Sequence, residues 1–88
     1  MADWRDDIDA LAFHPAGHAG FCMVHRLALR TVIGHAAAKE ECLSYFAANR
    51  DIFEAAARAK IARAGLSPDA NFHLTSRDIT GQSEAIPG

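Results

Sequence analysis

The chain has 88 residues, a formal charge of −2 and a residue count that is half hydrophobic, which is the size of one small domain. No apolar run approaches the ~20 residues of a membrane span, the apolar content excludes a fully disordered chain, and the acid-leaning charge speaks against a dedicated nucleic-acid binder. Two cysteines, Cys22 and Cys42, make no disulfide framework; with no basic–apolar–small leader in view, the expectation is a cytoplasmic protein with two reduced thiols.

Residues 1–9 carry Asp3, Asp6, Asp7 and Asp9 against Arg5. They are expected to form a frayed acidic segment, with Trp4 and Ile8 docking one helical turn apart. Residues 10–14 and 20–25 flank the loop Pro15-Ala-Gly-His-Ala-Gly20, a hairpin signal. Leu11 and Phe13 share one strand face; Phe21 and Met23 lie opposite Cys22 and Val24. Residues 26–33 predict a short helix with Leu29, Val32 and Ile33 on one side. Gly34 is its stop, and His25 is a poor N-cap beside Ser, Thr, Asp or Asn.

Residues 36–64 hold the strongest periodicity. Leu43, Phe46, Phe53, Ala57, Ile61 and Ala64 fall within roughly 60° of one another at about 100° per residue, and Gly65 and Pro68 end the run. Two arrangements satisfy it: one helix of about eight turns, or two helices meeting near Asn49 and Asp51, where Asp51 and Glu54 have capping-box spacing. Residues 71–79 alternate as a strand, with Phe72 and Leu74 on one face, and 80–88 have no period and predict a flexible tail. The expected fold is α+β over residues 10–79: a small antiparallel or mixed sheet, made of the N-terminal hairpin and a C-terminal strand, packed against a short helix and a long one.

Three segments in this order look familiar: Phe21-Cys-Met-Val-His25 with Leu27 and Leu29; Phe46-Ala-Ala-Asn-Arg50 with Phe53, Ala57 and Lys60; and Leu74-Thr-Ser-Arg-Asp78. Over roughly residues 10–79 the chain resembles the short bacterial proteins classed as domain of unknown function 1488. The resemblance implies a compact α+β fold and brings no established activity. The family often has Ser where this chain has His25, so a side-chain cap on the first helix is in doubt here.

Several residues carry possible chemistry. On a continuous helix Arg50 lies about 40° from Phe46, inside the apolar stripe, where a charge needs a partner. Asp78 is the expected partner in an internal ion pair, and the competing reading is a guanidinium positioned for a carboxylate or phosphate. His14, His18, Cys22 and His25 have the ligand types of a zinc site, but Cys22 and His25 point to opposite strand faces and the spacing fits no common pattern. Cys22 with His25 or His35 lacks the third group of a catalytic set. Arg58, Lys60 and Arg63 cluster at a helix C-terminus, with Arg26 and Arg30 elsewhere; the helix dipole already accounts for the cluster, and weak nucleic-acid binding is the lesser reading. Tyr45, Ile52 and Ala56, flanked by Ala59, form a second apolar flank about 100° from the main stripe. An uncovered flank on a small protein marks a partner surface or homodimer seam. The expectation is therefore a non-catalytic interaction module, homodimeric or bound to an unidentified protein, without a cofactor. The alternative is a small zinc-binding protein.

Overall fold

A computed structural model describes residues 2–85, with side chains through Gly81. The elements run β1 (Asp3–Arg5), β2 (Ala10–Phe13), β3 (Cys22–His25), α1 (Arg26–Ile33), α2 (Lys39–Ala48), α3 (Arg50–Ala64), β4 (Phe72–Leu74) and α4 (Ser76–Ala85). The fold is α+β. Its mixed sheet has the order β1-β2-β3-β4, antiparallel between β1, β2 and β3 and parallel between β3 and β4. No helix among the described residues is long and apolar enough to cross a membrane.

The strand registers sort the side chains. Trp4 opposite Leu11, Leu11 opposite Val24, Phe13 opposite Cys22, Cys22 beside Phe72 and Val24 beside Leu74 all fall on one face. These residues join Leu29, Cys42, Phe46, Phe53, Ala57 and Ile79 in the core. Phe13, Phe46 and Phe53 stand in a tilted row, with centroids 4.8 and 5.1 Å apart, so α2 and α3 close over the sheet through aromatic contacts. The other face carries Asp3, Arg5, Ala10, Ala12, Met23, His25 and His73. Ala10 and Ala12 are buried there, small side chains between the rows that β1 and β3 supply.

The hairpin, the first helix and its stop stand where the periodicity puts them. Gly34 and Gly65 both take left-handed backbone at helix ends, the conformation that favours glycine at this position. His25 makes no side-chain cap. The 36–64 run is two helices. Asn49 sits between them at φ −121°, its N–H and its side-chain amide both donating to the Tyr45 carbonyl at 3.0 Å.

Two expectations fail at the ends of the chain. The acidic segment is not frayed: its residues 3–5 form the edge strand β1, with Trp4 turned to the core and Asp3 and Arg5 to water. The last strand stops at Leu74 rather than residue 79, and the chain continues as helix α4 rather than a tail; of the expected tail, 86–88 lie outside the described residues. The cause is the sequence Thr75-Ser-Arg-Asp78. The Thr75 N–H donates to Asp78 Oδ2 at 2.8 Å, and the Asp78 N–H donates to Thr75 Oγ1 at 3.2 Å, a capping box that starts α4.

Candidate functional site

The run is interrupted at Asn49, and Arg50 is the first residue of α3. On one continuous helix it would lie in the apolar stripe. As the first residue of α3 it is instead half-exposed and does not meet Asp78. Its Nε lies 3.6 Å from Glu54 Oε2, and its guanidinium carbon is 6.0 Å from the Phe46 ring centre. Glu54 is nearly buried and also accepts the Ala16 N–H at 3.0 Å, so the hairpin loop helps fix the group that holds Arg50. The guanidinium donates no hydrogen bond among the described residues. The expected ion pair Arg50–Asp78 is thereby corrected.

Arg50 stands at the rim of a groove of about 500 Å³ lined by Ala2, Leu43, Phe46 and Ala47. Three of these come from one side of α2; Ala2 comes from the approach to β1 and shares the helix-facing side of that strand with Trp4. The site therefore has an apolar wall from α2, the residue that leads into β1, and one cation, ion-paired at its inner side with Glu54. Such a combination suits an apolar group that carries a carboxylate. Leu43 and Phe46 were legible in the helical period. Ala2 was not, although the alternation Ala2, Asp3, Trp4, Arg5 has the period of a strand.

Asp78 has different partners. Its carboxylate takes Lys60 Nζ at 3.1 Å and Arg63 Nη2 at 3.2 Å, together with the Thr75 N–H and hydroxyl. Burial alone would raise this carboxyl, but these hydrogen bonds outweigh it and hold the group at about 2. Lys60 and Arg63 are thus engaged within the fold, and Arg26 is clamped to Asp9 and to the Ala37 carbonyl. Of the cations considered for nucleic acid, only Arg30 and Arg58 have no ion-pair partner among the described residues.

The second flank of the long run is not the bare surface the sequence suggested. Ala56 is buried because α4 packs along α3 there. Tyr45 and Ile52 are half-buried against the core, Tyr45 edge-on to Phe53 at 6.2 Å. Of the three expected contact residues, Ala56 is covered by the fold itself, while Tyr45 and Ile52 keep part of their surface exposed.

The proposed zinc ligands are not brought together. His14 donates to the Gly20 carbonyl at 2.9 Å, buried His18 to the Ala70 carbonyl at 2.7 Å, and His25 to the Ile8 carbonyl at 3.3 Å. Cys22 lies on the core face, its thiol pushed up to about 12 by burial. Among the described residues no group of three or more His, Cys, Asp or Glu side chains is placed to hold a metal ion. His25 instead stacks on His73, with ring centres 4.8 Å apart and planes 9° from parallel. His35 is exposed and approaches Glu41 at 3.4 Å, whereas Cys22 is buried in the core.

Comparison of the chain with protein-family models, with curated proteins and with solved structures found no match.

Proposed function

We propose that this chain is a cytoplasmic accessory module of the kind classed as domain of unknown function 1488, working by holding a protein partner or a second copy rather than by turning over a substrate. The observation that carries the reading is the groove beside β1. It is apolar, it opens to solvent, and its rim holds a half-exposed arginine that is ion-paired with Glu54 through Nε and makes no hydrogen bond among the described residues. The stem of Arg50 lies along apolar surface while its head group stays in water beside Glu54, so its outward-facing N–H groups are within reach of an incoming acceptor. The family resemblance is part of the proposal, and the Leu-Thr-x-x-Asp segment on which it rests has a physical role here, as strand end and capping box.

The test is site-directed photo-crosslinking in native cells. A photoreactive side chain at Ala47, inside the groove, is compared with one at exposed Arg58. The proposal expects a discrete adduct from position 47 that position 58 does not give and that Arg50→Gln weakens. An adduct of twice the chain mass identifies a second copy; another mass identifies a partner. The absence of any adduct specific to position 47 overturns the reading.

A further inference from the structure

The groove has a property that narrows its occupant. One of its walls is Ala2, the residue immediately before the sheet's edge strand β1. β1 pairs with β2 on one side, and among the described residues no strand pairs with its other side. An unpaired edge presents backbone donors and acceptors at strand spacing, which is a template for an added extended segment. Across from that edge, α2 supplies Leu43, Phe46 and Ala47, and Arg50 closes the end of the groove. Phe46 is part of the rigid aromatic row of the core, so this wall is preformed.

We propose that the groove binds the C-terminal end of a partner protein as a strand added to β1, with the partner's last apolar side chain against Leu43 and Phe46 and its terminal carboxylate on Arg50. The inference rests on the accessory-module reading and names the partner's chemistry. Three features select this occupant. The free strand edge calls for an extended backbone. The apolar wall calls for an uncharged side chain. A planar guanidinium whose Nε faces Glu54 and whose terminal N–H groups make no hydrogen bond among the described residues calls for a second carboxylate on those terminal groups. The groove volume of about 500 Å³ holds a few side chains, the size of a short chain end.

The chain carries a reporter for the test. Trp4 is its sole tryptophan and lies in β1. An acetylated tetrapeptide ending in leucine with a free carboxylate is titrated into the full chain, followed by Trp4 fluorescence and by hydrogen exchange of the amides of residues 3–5. The expected result is saturable binding with slowed exchange in β1. C-terminal amidation, or Arg50→Gln in the protein, weakens it by about tenfold or more, the cost of losing a hydrogen bond to a charged group. Arg50→Lys recovers part of the loss. Because Arg50 is half-exposed, neither variant disturbs the core. Binding that ignores amidation and Arg50 overturns the carboxylate assignment. Binding of octanoate but not of the peptide overturns the chain-end assignment in favour of a free apolar acid. No response to either probe overturns the inference, while the crosslinking result at Ala47 judges the accessory-module reading separately.

Discussion

At the level of single residues, one aspartate organises the C-terminal third of the protein. Asp78 caps α4 through Thr75 and joins it to α3 through Lys60 and Arg63. Its side chain is only 11 % exposed, so these interactions are weakly screened. The carboxyl stands at about 2 against an ordinary 3.8. At 1.36 kcal/mol per unit, the shift is worth about 2 kcal/mol of stability at neutral pH. Asp78→Asn should remove about that amount, read as a lower urea midpoint at pH 7 with unchanged slope. Thr75→Ala acts on the same network, so its effect combined with Asp78→Asn should be less than additive. Arg50 shows how a single residue redirects a reading: its place beside Phe46 was visible in the sequence, but its partner is the neighbouring Glu54 one turn on rather than the distant Asp78.

Among the elements, connections outrank propensities. The loop 14–20 is held against the segment before β4: the Ala19 N–H donates to the Pro68 carbonyl at 2.8 Å, and His18 donates to the Ala70 carbonyl. Gly20 is where the two backbones meet, and a Cβ there would collide with the Ala70 carbonyl group. Gly17 takes positive φ (76°) with open space around it. The two glycines therefore answer alanine differently. Gly17→Ala should cost about 1 kcal/mol, the strain of left-handed backbone. Gly20→Ala should cost about 3 kcal/mol or more, because backbone must move. Thermal denaturation of the two variants separates them, and equal losses would deny the close approach.

The same scale shows what the sequence made legible. The hairpin and α1 follow from local signals: apolar alternation, a Pro/Gly loop, and Gly34 in left-handed backbone. β1 and α4 escaped because neither has much of an apolar signal of its own. β1 is three residues long with charges on its outer side and takes its order from pairing with β2. α4 is polar and contains Thr80 and Gly81, but it is started by Thr75 and Asp78 and held by packing on α3. The T-x-x-D spacing was the available clue, and the alternation through Phe72 and Leu74 masked it. Missing α4 also left the Ala56 flank looking bare. The groove at Arg50 required two things that no window of sequence contains, the helix break at Asn49 and the arrival of β1 beside α2.

For the molecule as a whole, helices cover one face of the sheet, and the other face carries ionisable side chains, so acid acts on the fold in two steps. His73 lies on the open face, stacked on His25. Its pKa is lowered first by the partial loss of water around the ring, then by the neighbouring His25 charge and by Lys60. A histidine with a depressed folded pKa stays neutral while the unfolded chain takes up a proton. Stability is therefore full above the unfolded value of 6.5 and declines as pH falls below it, until His73 itself protonates. Asp78 gives the second step. Its folded carboxylate stays ionised down to about 2, whereas the unfolded group protonates near 3.8, so stability is lost again across that lower window. Urea midpoints measured from pH 8 to pH 2 should fall in these two stages. His73→Gln should flatten the upper stage and leave the lower, and Asp78→Asn should do the reverse. The upper stage should be small, since His73 is exposed and solvent screens its charge. A profile that is flat from pH 8 to 5 in the wild type, or one that His73→Gln leaves unchanged, would mean that the histidine stack on the open face does not couple to folding.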